Sequence, residues 1–292
     1  MTEKTLTVFT PAYNRAHTIG RTYESLCRQT CLDFEWLVID DGSTDNTEEL
    51  VKGWMADKVI PIRYIKKENG GLHTGYITAF ANINTELNVC IDSDDFMPEN
   101  AVEIIVRIWS ERGRGRNEIA GIRGLDFYMG GGPVGGYFKD LRDMPYWDLN
   151  KTHRGDTKLV IRTDLLKDLP VMPVFDGEKN FNPSYYFWQI EEKYIMVNEN
   201  LCWVDYQPNG MAAGIFKQYR NSPNSFAQYR RLMMAHHAIP LKRKFKEAIH
   251  YVSSCIFAGQ WDMVMTSPKP LLTILAFPFG CLLNIYVRYK TY

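Results

Sequence analysis

The chain has no surplus of either charge: 34 Lys and Arg stand against 34 Asp and Glu in 292 residues. A protein that holds nucleic acid mainly through its phosphates is usually basic overall, so the neutral balance argues against that class. Cysteine is sparse, with six scattered residues and no CxxC pair. This argues against a disulfide framework or a zinc site and fits a reducing cytoplasm. No long apolar stretch follows the opening Met-Thr-Glu-Lys-Thr, so no signal peptide is expected. No internal repeat or low-complexity tract is visible. What is present is ample material for a core: 45% of residues are apolar and 23% charged, which excludes disorder as the main state. The length fits one large domain, or one domain with an appendage.

The first hundred residues alternate strand and helix signals. Leu6–Thr10, Trp36–Ile39, Ile60–Ile65 and Leu87–Ile91 are short apolar runs of buried-strand type. Helical patterns are read over 16–30, from Asp45 through Met55, from Gly71 to Ile83, and from Pro98 to Arg112. Strands alternating with helices predict a mainly parallel sheet covered on both faces, with ligands beyond the carboxyl ends of its strands. A polar cluster follows each strand: Ala12-Tyr13-Asn14-Arg15, Asp40-Asp41-Gly42-Ser43, Glu68-Asn69-Gly70-Gly71 and Asp92-Ser93-Asp94-Asp95. Right-handed crossovers bring these ends to one edge. Further on, Lys158–Arg162 and Leu201–Val204 read as strands in a Gly- and aromatic-rich region.

Asp92, Asp94 and Asp95 put three carboxylates into four residues after a buried strand. Like charges this close are costly unless a cation or strong donors neutralise them. Mg²⁺ or Mn²⁺ takes one or two carboxylates together with phosphate oxygens and water. The bland alternative is an acidic turn capping the next helix. Asp40 and Asp41 suit a base N–H or a ribose hydroxyl, or else an Asx-turn with a helix cap. Tyr13 can stack on a base or pack at the sheet edge. Arg15 can meet a phosphate or stay solvated.

In order and spacing, the four clusters resemble the family 2 glycosyltransferases over residues 5 to 110. The resemblance implies a GT-A fold: an α/β, Rossmann-like, mainly parallel sheet sandwiched by helices. Residues 1–221 would be the catalytic domain, with a nucleotide-sugar half at 1–112 and an acceptor half at 113–221. A C-terminal helical region would follow at 222–292. The resemblance further implies a nucleotide-sugar donor, most often a UDP-sugar, a divalent cation (Mn²⁺ or Mg²⁺), and inversion at the sugar C1. Pro11, Tyr13 and Arg15 would line the nucleotide pocket. Asp40 and Asp41 would hold uracil and ribose, and Asn69, Gly71 and His73 would lie near the donor. Asp92 would touch the ribose or the metal, and Asp94 the metal.

Inverting transfer needs a carboxylate to take the acceptor hydroxyl's proton. Residues 176–188 resemble the part of the family that supplies this base, which often reads Gly-Glu-Lys, an aromatic, then Pro-Glu. Here Pro183 is followed by Ser184, and a serine hydroxyl is too weak a base at neutral pH. Glu178 is the first candidate for the base and Asp176 the second. An acid from elsewhere, such as Asp164, Glu191 or Glu192, is a further option. The departure also keeps open a catalytically impaired, nucleotide-sugar-binding component of a polysaccharide assembly complex.

The tail carries a basic run at Lys242-Arg243-Lys244-Phe245-Lys246 and an almost wholly apolar stretch from Leu271 to Val287. Seventeen residues make about 25 Å of helix, short of the roughly 20 residues a bilayer core needs. The tail is therefore expected to lie in the cytoplasmic, inner face of the cell membrane. The alternative is a core helix or a subunit interface. A membrane location suits a glycan or polyprenyl-diphosphate-linked acceptor.

Overall fold

Four apolar runs become parallel strands: β1 (Leu6–Ala12), β2 (Phe34–Asp40), β3 (Ile62–Lys66) and β4 (Leu87–Cys90). The computed structural model describes residues 4–149, 153–205 and 214–291. Helices α1 (Ile19–Cys27), α2 (Thr47–Asp57) and α3 (Leu72–Asn82) join these strands, and α4 (Ala101–Ile108) follows β4. The rest of the sheet comes from β5 (Ile119–Tyr128), β6 (Met144–Pro145), β7 (Thr157–Arg162) and β8 (Lys193–Val204). The order of the eight strands is β3-β2-β1-β4-β7-β5-β8-β6. Strands β7 and β6 run against their neighbours, so the sheet is mixed but mainly parallel, as expected for this α/β class.

Strand β5 is not legible from periodicity because Gly121, Arg123 and Gly124 interrupt its apolar run. Gly121 is required where β5 crosses β7: a Cβ there would stand 1.9 Å from the Val160 carbonyl oxygen. Helix α4 starts three residues later than Pro98 suggests. The Gln29 side chain explains the delay, donating to the Pro98 carbonyl at 2.7 Å and accepting from Val102 N at 3.0 Å. One core layer centres on Trp36, which is fully buried and donates to Thr10 Oγ1 at 3.0 Å. Tyr23 and Trp54 stack beside it with centroids 4.3 Å apart.

Contacts group the chain into two compact units, Met1–Val171 with Tyr186–Asp205, and Met172–Tyr185 with Tyr206–Tyr292. These cuts differ from the expected domain boundary at 221/222. The first unit holds the whole sheet and α5 (Thr163–Asp168). A short turn of helix, α6 (Ser184–Phe187), spans the 185/186 cut. The second unit contains α7 (Ile215–Asn221), α8 (Pro223–Ala235), α9 (Leu241–Ala258) and α10 (Pro270–Lys290). Its core includes Met234, Tyr251, Val252, Cys255 and Ala276. The apolar run read from Leu271 to Val287 lies within one continuous helix of 21 residues through Pro278. By length and composition that helix is enough to cross a membrane, so the expectation that the run is too short to span does not hold.

Candidate active site

The loops after β1, β2 and β3 are tied to one another by side chains. Asn14 has a positive φ of 55°, which Asn tolerates better than most residues. It donates through its N–H to Ser43 Oγ at 2.9 Å and accepts from Thr44 N at 2.8 Å. Arg15 N donates to Thr47 Oγ1 at 2.9 Å. Pro11 is buried at the end of β1, whereas the Tyr13 ring is about half exposed beyond it.

Asp40 is fully buried. It accepts from Ser43 N at 2.7 Å and from the Tyr64 hydroxyl, an Asx-type closure of the turn. Burial, together with the acceptor Asp40, pushes the Tyr64 hydroxyl far above its ordinary pKa. Asp41 accepts from Gly70 N at 2.9 Å, Gly71 N at 2.7 Å and the Lys67 ammonium. Asn69 donates to the Asp41 carbonyl at 2.9 Å. These two carboxylates therefore tie the loop after β2 to β3 and to the loop that follows it, while Asn14 and Arg15 join the loop after β1 to the one after β2. His73 is completely buried in the first turn of α3.

The acidic turn after β4 is held from two sides. Thr22 Oγ1 donates to the Asp95 carbonyl at 2.7 Å, and an Arg21 guanidinium nitrogen lies 3.2 Å from the Asp94 carbonyl. Phe96 and Trp203 exchange backbone hydrogen bonds at 3.2 and 2.8 Å, which fixes the turn against β8.

Two residues not picked out in the sequence complete this cluster. Lys158 of β7 is buried, with its ammonium 3.7 Å from Asp126 Oδ1 and 4.0 Å from Asp95 Oδ2. Asp126 of β5 is 3% exposed, and among the described residues its Oδ1 accepts no hydrogen bond. Burial raises the Asp95 carboxyl to about 7 and the Asp126 carboxyl to about 6, despite the attraction of Lys158. Burial raises Asp92 as well; Asp94 adds to this, while Lys158 and Arg15 act against it. Burial alone would lower Lys158, but Asp126, Asp95 and Asp92 around it hold it protonated, well above its ordinary value. Three carboxylates, Asp92, Asp95 and Asp126, thus act on the one buried ammonium of Lys158. The cluster's donors are hard carboxylate oxygens, one of them a buried acceptor that has no hydrogen bond among the described residues and only the Lys158 ion pair at 3.7 Å. Such a set fits Mg²⁺ or Mn²⁺.

Asp92 and Lys158 open on a cavity of about 100 Å³ shared with Phe9, Tyr76, Cys90 and Phe187. Asp92 is reached by solvent although protein surrounds it, as befits a side chain facing a concavity. A larger cavity of about 380 Å³ lies at the opposite end of β4, beside Glu86, Trp109 and Arg162. Its charges are spent on each other, with Glu86 paired to Arg114 and Asp164 to Arg162. That cavity is unrelated to the acidic turn.

In the second unit, Glu178 has a defined task. Its carboxylate is 6% exposed and accepts from Asn224 N, Asn224 Nδ2, Ser225 N and Ser225 Oγ at 2.6–2.8 Å. It therefore caps the N-terminus of α8, satisfying donors that a helix start leaves open and placing negative charge where the dipole favours it. Asp176, two residues earlier, is exposed. Ser184 Oγ lies 3.0 Å from the Tyr229 hydroxyl. Replacing Glu178 with Ala should strip the cap and lower stability by about 2–3 kcal/mol, measurable by urea denaturation. An unchanged midpoint would mean that the cap bears no weight.

Residues 7–119 match the family model described as glycosyl transferase family 2. The chain is 32% identical over 102 residues to chondroitin synthase of Pasteurella multocida strain Pm70, covering 35% of this chain and 10% of that protein. It is 31% identical over 102 residues to glycosyltransferase GlyA of Streptococcus pneumoniae serotype 4, covering 35% of this chain and 14% of that one. The matched stretch therefore spans only a small part of these relatives. Among solved structures, S. aureus TarS 1–349 in complex with UDP-GlcNAc superposes with a TM-score of 0.62 at 15% identity, covering 98% of this chain and 91% of that one. The mannosyltransferase PcManGT from Pyrobaculum calidifontis, in complex with GDP-Man and Mn²⁺, gives 0.55 at 16% identity, covering 100% and 82%. At such identities the likeness shows the fold alone, which is GT-A.

Proposed function

We propose, on the premise that residues 7–119 form a family 2 glycosyltransferase domain, that this protein moves a sugar from a UDP-sugar to an acceptor hydroxyl with inversion at C1. The acceptor would be a glycan or a polyprenyl-diphosphate-linked glycan in cell-surface polysaccharide assembly. The work would take place on the cytoplasmic, inner face of the cell membrane. The observation that supports the reading is the acidic turn after β4, with buried Lys158 set against Asp95 and Asp126, following a strand parallel to those that carry the other three loops.

Asp92 and Asp94 would hold Mn²⁺ or Mg²⁺ together with the donor's diphosphate. The cation would supply neutralising charge to the diphosphate as it departs. Lys158 would keep Asp95 and Asp126 in place behind the metal ligands. Tyr13, exposed past the end of β1, would stack on the base, and Arg15 would face phosphate. Asp40 and Asp41 would shape the base and ribose pocket from inside, with Asn69, Gly71 and His73 forming the donor side.

For the proton, Asp176 is the candidate that remains of the two, because the Glu178 oxygens are already taken by four donors. Asp176→Asn should cut transfer about 10²–10⁴-fold while leaving UDP-sugar binding and stability unchanged. A loss below tenfold would move the role elsewhere. Ser184 in place of the acid expected there favours a second reading, an idle nucleotide-sugar-binding component. UDP release with candidate acceptors separates the two, because an idle component would bind donor and release none.

The test of the donor class is a panel of UDP-, GDP- and dTDP-sugars scored for binding with Mn²⁺ present. Saturable binding confined to UDP-sugars is expected. Binding of none of them would overturn the reading.

A further inference from the structure

Helix α10 has two unlike faces. Thr273, Ala276, Gly280, Asn284 and Val287 recur three or four residues apart and are buried. This small-residue stripe lies on α9. A Cβ on Gly280 would stand 2.5 Å from the Val252 side chain, and Asn284 Nδ2 donates to the Ser253 carbonyl at 3.1 Å. The other face is apolar and open: Leu271 is 79% exposed, Leu275 and Leu282 65%, and Ile285 63%. Over 21 residues this face runs about 31 Å. A contiguous apolar surface of that extent marks a docking site.

Charge selects the occupant. Residues 222–292 carry nine Lys and Arg against two acids, in a chain that is neutral as a whole. One of those acids, Glu247, is buried and paired with Arg230 at 2.6 Å. A second copy would bring like charge against like, whereas an anionic leaflet offers apolar depth and opposite charge together. Crossing the bilayer would tear the stripe from α9 or drag Lys242, Lys244 and Lys246 of α9 into hydrocarbon.

We propose that α10 lies in the plane of an anionic membrane surface, its Leu/Ile face sunk among the acyl chains and its small-residue stripe held on α9. This deepens the reading of where the protein works, and vesicle binding can fail or succeed independently of sugar transfer.

The experiment is flotation of the full chain with phosphatidylcholine vesicles containing, or lacking, 30 mol% phosphatidylglycerol. Most of the protein should float with the anionic vesicles and much less with the neutral ones. The double variant Leu275→Glu with Leu282→Glu, both outward-facing, should float at least tenfold less while its melting temperature and UDP binding stay unchanged. Should that variant not fold, trypsin added outside wild-type vesicles still decides the orientation, since an in-plane helix leaves the Arg288 bond open to cleavage. Equal flotation of the folded variant would overturn the proposal. So would protection of Arg288 until detergent is added, or a wild-type dimer that ignores vesicles and that the variant dissociates.

Discussion

Asp94→Asn should lower metal-supported transfer by at least about 10²–10³-fold while leaving the fold intact. The Arg21 contact to Asp94 is made through the backbone carbonyl, which asparagine retains. Asparagine keeps the size and one oxygen but removes the negative charge that would hold the cation. The loss should therefore appear in Mn²⁺ affinity as well as in turnover, and raising Mn²⁺ should recover part of the rate. Activity near wild type at low Mn²⁺ would remove Asp94 from the metal site.

Lys158→Met should destabilise the chain by about 3–5 kcal/mol at pH 8, because it leaves buried carboxylates without their cation. The effect carries a pH signature. Asp95 and Asp126 are raised to about 7 and about 6 in the folded chain. They bind protons more tightly folded than unfolded, so on their own they erode stability as pH rises from about 4, their unfolded range, through those values. Lys158 offsets that erosion only while they are ionised. At pH 5 both are protonated, and the same substitution should cost less than about 1 kcal/mol. Urea denaturation of wild type and variant at both pH values gives the difference, in which titrating groups elsewhere cancel. An equal penalty at pH 5 and pH 8 would mean that Lys158 acts through packing rather than charge.

The first four strands and their loops were legible because each apolar run is short, buried and closed by a polar cluster. Asp92 and Asp94 stood out because three acids in four residues are chemically expensive. Lys158 did not, since a lysine in a strand reads as a solvated charge until the strand's neighbours are known. Its partner Asp126 is 32 residues away on a strand hidden by two glycines. The dual nature of Asp40 and Asp41 was visible only as alternatives. Their donors come from Tyr64, Lys67, Gly70 and Gly71, a loop away, and local sequence does not rank such contacts. Glu178 was singled out by its surroundings, yet its cap on α8 joins residues 46 and 47 positions apart. The outer face of α10 was readable as apolar. The stripe that binds it to α9 emerged only with Gly280 against Val252.

Calorimetric titration of UDP into the full chain, with Mn²⁺ and again with a chelator, bears most directly on the acidic turn as a cation-bridged diphosphate site. Saturable binding with Mn²⁺, weakened at least tenfold by chelator and likewise by Asp94→Asn, is the expected result. Binding of equal strength in all three cases, or none with Mn²⁺ present, would contradict it.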